Sequence, residues 1–294
     1  MPAACFGSPL HHRVPCALLS LVVTLSACAW GAPARAQSCL QLDTELGTIS
    51  IELQPTAAPG AVALIEKLAL GPIYELDLVP RPDAARDRGY FDGLSFDFAK
   101  PKLEIRLPAR VPAAAFVIPT ELDAVALGLD RERVADAGEA MNRLQFDLLP
   151  ARKRPSAERR STPRLEEWAR RFETDYDPSF LVGTSIQEIR EAIGYEYRDG
   201  LESLPATRGA VALVPVSPTE AELTLTILLA DHPRRTGRWM VIGRVASGLE
   251  IADRIAMRPL AQVERRDYRP LHPVQVDRGR LSANCSNELK GGTP

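Results

Sequence analysis

Strand-period segments lie at the two ends of this chain, with a helical middle between them, and that arrangement most limits what it can fold into. In residues 40–53 (LQLDTELGTISIEL), Ile49, Ile51 and Leu53 alternate with Thr48, Ser50 and Glu52, the period of a half-buried strand, and Gly47 falls at a turn between two strand halves. In residues 94–107, Leu103, Ile105 and Leu107 alternate with Lys102, Glu104 and Arg106. Pro101 splits that run in two, and Phe96 and Phe98 are expected on one side. The signal returns in residues 210–216, 221–229 (AELTLTILL), 238–245 (RWMVIGRV) and 272–277.

Between these runs the period changes. A helix is expected over residues 55–71, with Pro59 in its first turn, Val62, Ile65, Leu68 and Ala69 as its buried stripe, and Gly71 ending it. Residues 72–88 read as a loop insertion, and Asp92-Gly93 as a tight turn. Helices are expected over 131–149, 165–172, 185–193 and 248–255, with Glu166 and Arg170 forming an i,i+4 pair. The basic stretch Arg152, Lys153, Arg154, Arg159, Arg160 and Arg164 reads as a solvated loop, or as a contact for phosphate-rich envelope components. Strands at both ends, capped by helices and interrupted by a helical insertion, suit a mainly β, closed antiparallel barrel. Twenty-five prolines also argue for strands and loops rather than a helical bundle.

Residues 1–36 are set aside as a signal peptide. Arg13 precedes the apolar run 17–27, and Ala34-Arg35-Ala36 is a small-x-small cleavage signal before Gln37. The apolar run is too short to span a membrane. Leu25-Ser26-Ala27-Cys28 also resembles a lipobox, in which Cys28 would carry a lipid anchor. The expected location is therefore periplasmic or secreted, or membrane-anchored through Cys28. The formal net charge of -2 gives no reason to expect a nucleic-acid partner. His232 and His272 lie far apart, and with Cys39 and Cys285 the remaining cysteines outside the leader, no metal-ligand spacing appears. No cofactor is expected.

Three blocks carry a family resemblance. TELGTISIELQPTAAPGAVALIEKL resembles the opening T-x-x-G-x-I-x-I-E-L-x-P-x-x-A-P of cyclophilins, GYFDGLSF their x-F-Y-D-G-x-x-F turn, and LLADHPRRTGRWMVIGRVASGLEIADRI their L-A-D-N-P-x-L-D-G-x-x-x-V-F-G-R-V segment. The blocks occur in the family's order and cover roughly a third of the chain. The resemblance implies a cyclophilin-like barrel in two parts, 37–108 and 201–294, with 109–200 as an inserted, largely helical elaboration. Its first and last strands would pair, which implies a disulfide between Cys39 and Cys285 in an oxidising compartment.

Cyclophilins catalyse prolyl cis-trans isomerisation, which makes and breaks no bond. The amide twists over a barrier of about 18–20 kcal/mol. An apolar pocket that grips the proline ring and a guanidinium that favours the twisted amide both lower it. The family's F-H-R aligns with Phe96-Asp97-Phe98, so Phe98 stands where the arginine would be. The family's pocket phenylalanine and methionine fall at Leu103 and Glu104, its glutamine at Arg106, a second glutamine and a pocket phenylalanine at Thr224 and Thr226, and its ring after G-R at Trp239. Phe98, Leu103, Thr224, Thr226 and Trp239 are the expected substrate-binding positions. Arg106 is the candidate catalytic group, or else an exposed strand residue.

The resemblance thus implies an exported, monomeric peptidyl-prolyl isomerase-family protein acting on proline-containing segments of envelope proteins, with its activity put in question by Phe98. The competing expectation is a non-catalytic cyclophilin-like module that binds a peptide or an envelope partner.

Overall fold

A computed structural model of the protein describes residues 38–70, 89–110, 117–153, 162–261, 268–283 and 285. The leader, the expected loop 72–88, and Arg154, Arg159 and Arg160 of the basic stretch lie outside the described residues. Strands β1 (Cys39–Thr44) and β2 (Gly47–Leu53) form a hairpin around Gly47, as the alternation indicated. Helix α1 follows at Pro59–Leu70, four residues later than expected. The Ala57 amide is already turned onto the Gln54 carbonyl (3.0 Å), and Pro59, lacking an N–H, is placed where a helix needs none.

The two strand halves expected over 94–107 are separated at Pro101, and the first is divided again at Asp97, giving β3 (Ser95–Phe96), β4 (Phe98–Lys100) and β5 (Glu104–Leu107). After β6 (Val117–Pro119) come the helices of the middle segment: α2 (Ala137–Arg143), a π-helical turn (Leu144–Leu148), α3 (Leu149–Arg152), α4 (Pro163–Asp175) and α5 (Ile186–Ala192). The chain returns to the sheet through β7 (Ala210–Ser217), β8 (Glu220–Leu228) and β9 (Met240–Ser247), then α6 (Leu249–Ala256) and β10 (Val274–Ser282).

The strand order is β3-β10-β1-β2-β9-β7-β8-β5-β4, and every pairing is antiparallel. The two ends of this order, β3 and β4, are consecutive in the chain and separated by Asp97. The sheet is therefore nearly closed: one extended run pairs with β10 through its first half and with β5 through its second. The mainly β antiparallel barrel with capping helices is as expected, although the break at Asp97 stops it short of full closure.

That break also corrects an expectation. Phe96 is fully buried in the barrel core, whereas Phe98 is half-buried on the outer face, so the two rings do not share a side. The interior is filled by Leu40, Ile49, Ile51, Ile105, Val211, Ile227 and Val276. It is covered by Val62, Ile65 and Leu68 of α1 and by Ile251 and Ile255 of α6. Each such side chain contributes about 1.5–3 kcal/mol on burial. Cys39 and Cys285 are bonded, with Cα atoms 5.2 Å apart, just beyond the pairing of β1 with β10.

The middle segment builds a second core from Leu144, Leu148, Leu165, Ile186, Ile189 and Ile193. Its first helix begins at Ala137 rather than 131, because the Asp136 side chain accepts from the Glu139 amide (2.8 Å) and caps the helix there. Ser185 and Glu188 make a reciprocal capping box at α5. Glu166 meets Arg152 at 3.4 Å in place of the expected partner Arg170, and Arg152 also pairs with Glu173. Two carboxylates brace this segment, the first of them against the barrel's helix α1. Glu121 accepts from the Gly60 and Ala61 amides, both at 3.0 Å, capping α1 from 60 residues away. Buried Asp123 accepts four backbone amides, from Val125, Ala126, Gly200 and Leu201. Burial opposes its charge, but these bonds hold its carboxyl below the usual carboxylate range.

Candidate functional site

Register places the candidate site on one face. Phe98 pairs with Arg106, Arg106 with Thr226, Thr226 with Ala212, and Ala212 with Val241. Directly opposed residues in antiparallel strands share a face, so these five form a row across β4, β5, β8, β7 and β9 on the barrel's outside. Thr224 lies two residues from Thr226 and is buried beside it. Glu104 is two residues from Arg106, on the same face. Leu103 lies in the turn before β5, half-buried, its carbonyl accepting from the Leu229 amide (2.8 Å) with His232 Nε2 at 3.4 Å.

Trp239 enters from the lead-in to β9. It packs on the small outer-face cluster of Ala206, Ala210, Ala212, Leu228 and Val241. Two guanidinium groups flank its ring: Arg235 at 4.0 Å from the centroid and Arg106 at 5.6 Å. Arg106 also covers the Phe98 ring at 4.2 Å. Such contacts are worth about 0.5–2 kcal/mol, more as they desolvate. Phe98 in turn meets Tyr268 edge-on at 5.4 Å.

The centre of this assembly is a carboxylate. Glu104, 1% exposed, accepts from Arg106 Nη2 at 2.7 Å and from Arg235 Nη1 through its other oxygen. Burial alone would raise its pKa. The hydrogen bond and charge of Arg235, joined by those of Arg106, outweigh that and hold it below the ordinary value. Beneath this cluster Thr226 is fully buried, and its hydroxyl has no hydrogen-bond partner among the described residues. The Arg106 Nε–H is likewise buried and without a partner.

Of the residues picked out from sequence, Phe98, Arg106, Thr226 and Trp239 are thus brought together, with Thr224 alongside and Leu103 at the margin. Arg235 was missed. It lies in the 3-10 turn Pro233–Arg235, 131 residues from Glu104. The signal that could have found it is Glu104 itself: a glutamate in the place of an apolar family residue, on a strand, demands a buried cation.

No protein-family model matches the sequence, and no curated protein matches it. Solved structures do. Cyclophilin AquaCyp293 from Hirschia baltica is 13% identical, with a TM-score of 0.41, the match covering 84% of this chain and 74% of that one. A Cryptosporidium parvum cyclophilin-type peptidyl-prolyl cis-trans isomerase, solved in the presence of the dipeptide Ala-Pro, is 11% identical, with a TM-score of 0.41, covering 84% of this chain and 99% of that one. Both of these similar structures are cyclophilins, and the nearly closed antiparallel barrel of this chain stands on its own strand order.

Proposed function

We propose that this chain is a non-catalytic, cyclophilin-like binding module of the cell envelope that holds extended, proline-containing segments of exported proteins. The observation that carries the reading is the Glu104 carboxylate bridging Arg106 and Arg235 over a fully buried Thr226. Isomerisation needs a donor whose bond strengthens as the amide twists, and both guanidinium groups already direct an N–H and their charge at Glu104. Loss of one preorganised donor typically costs about 10²–10³-fold in rate. The seat of the proline ring is filled as well, since a ligand reaches Thr226 only by breaking two charge-assisted bonds.

The rim remains available. Phe98, Trp239 and Arg235 offer aromatic faces and a cation, the surface that extended proline-rich segments favour because they are already ordered before binding. The leader in the sequence and the Cys39–Cys285 bond support an oxidising, extracytoplasmic location. A second reading keeps slow catalysis, and the unpartnered Arg106 Nε–H favours it.

Calorimetric titration with an extended proline-containing peptide and its alanine-substituted counterpart tests the proposal. Binding of the proline peptide, lost in Trp239→Ala and weakened in Arg235→Ala, is expected. Absence of binding to either peptide contradicts it.

A further inference from the structure

A second basic site lies on the other side of the Pro233–Arg235 turn. A cavity of about 190 Å³ opens between α2, the π-helical turn after it, α5 and that turn. Its walls hold Arg143, Arg190, Arg234 and Arg238 against two carboxylates, Glu139 and Asp147. Arg143 meets Glu139 at 2.9 Å, Asp147 at 3.6 Å and, from outside the cavity wall, Glu132 at 3.5 Å, and Arg238 meets Asp147 at 3.2 Å. The two acids are therefore consumed by two of the arginines.

The other two have no carboxylate among the described residues. Arg234 is exposed and lies over the Phe146 ring at 5.1 Å, at the rim. Arg190 is 4% exposed and is held by a backbone acceptor, the Thr236 carbonyl, next to the Tyr197 hydroxyl. The buried Nε–H of Arg238 also lacks a hydrogen-bond partner among the described residues. A guanidinium cannot shed its proton at ordinary pH, so Arg190 keeps a full charge inside the protein. Isolated buried charge is strongly unfavourable unless something pairs with it. An arginine on a surface needs no such account; a buried one, facing a polar cavity beside a second arginine that also has no carboxylate partner among the described residues, does.

We propose that this cavity binds a phosphate group, as inorganic phosphate or a phosphate monoester. A tetrahedral oxyanion supplies the counter-charge that Arg190 and Arg234 lack, and its oxygens suit the planar forks of Arg190, Arg234 and Arg238. The site is separate from the outer-face cluster but shares a segment with it. Arg234 and Arg238 face the cavity, while Arg235 and Trp239 face Glu104 and Arg106. The proposal does not depend on the function assigned to that cluster.

The test is titration of the folded chain with inorganic phosphate, with methyl phosphate and with acetate, at constant ionic strength balanced with chloride. Calorimetry and thermal unfolding are the readouts. Both phosphates should bind and raise the melting temperature, and acetate should do neither. Tighter binding of methyl phosphate would identify a monoester as the source, and equal or weaker binding the free ion. Arg190→Met should lose binding. Because that variant can fail to fold, Arg234→Glu at the exposed rim is the second arm: it should weaken phosphate at least tenfold while unfolding in chloride at the wild-type temperature. Phosphate acting no more strongly than chloride, or Arg234→Glu binding as well as wild type, would overturn the proposal.

Discussion

Glu104 Oε1 lies 2.7 Å from Arg106 Nη2, two positions along the same strand, with Glu104 buried and Arg106 about a quarter exposed. Alternation puts both side chains on the outer face, and Arg235 closes the bridge from a loop more than a hundred residues away. The geometry makes the carboxylate a structural member of this cluster, bridging two guanidinium groups.

Removing that carboxylate should therefore be costly. Glu104→Gln leaves two partly buried guanidinium groups without their counter-charge, and we expect a loss of about 2–4 kcal/mol, read from urea unfolding at neutral pH. The pH dependence follows from the depressed carboxyl pKa of Glu104 in the folded state. Its stabilisation is fully present above the unfolded-state value and is lost as pH falls through the lower folded-state value. Wild type should lose stability across that acidic window more steeply than Glu104→Gln. Parallel pH profiles would show that the bridge contributes nothing.

Gly237 occupies a left-handed conformation (φ +71°), and a Cβ there would come within 2.4 Å of Leu129 Cδ1 and 2.7 Å of Arg190 Nη1. Gly237→Ala should destabilise by about 2–3 kcal/mol, combining backbone strain with displacement of the middle segment. The drop would appear in thermal unfolding. An unchanged midpoint would mean that the loop carrying Arg235 and Trp239 does not depend on this close approach.

How much of this was open to sequence reading follows from the range of each interaction. The alternation at Ile49, Ile51 and Leu53 reports one arm of a local hairpin, and the hairpin is there. The pairing of β1 with β10, and with it the proximity of Cys39 to Cys285, was reached by resemblance and not by any local pattern. The cap that Glu121 places on α1 joins groups 60 residues apart, and nothing in either segment announces it. Phe96 and Phe98 were misjudged because a two-residue period assumes an unbroken strand, and the chain changes partner at Asp97.

The Cys39–Cys285 bond spans 246 residues. In the chain-entropy model, closing a loop of that size stabilises by about 5 kcal/mol, less any strain. The double variant Cys39→Ala/Cys285→Ala should unfold at markedly lower denaturant than the oxidised wild type and match the reduced wild type. Coincident curves for oxidised and double-variant protein would remove the bond from the account of stability.

The proposed reading, in which the Glu104 ion cluster keeps Arg106 and Arg235 from acting on a prolyl bond, is tested most directly by the rate of a proline-limited refolding reaction in the presence of this protein, measured for wild type, Arg106→Ala and Arg235→Ala. All three should leave the slow phase at its spontaneous rate. A wild-type acceleration that disappears in Arg106→Ala or in Arg235→Ala would contradict it, because one of those guanidinium groups would then be acting on the substrate rather than on Glu104.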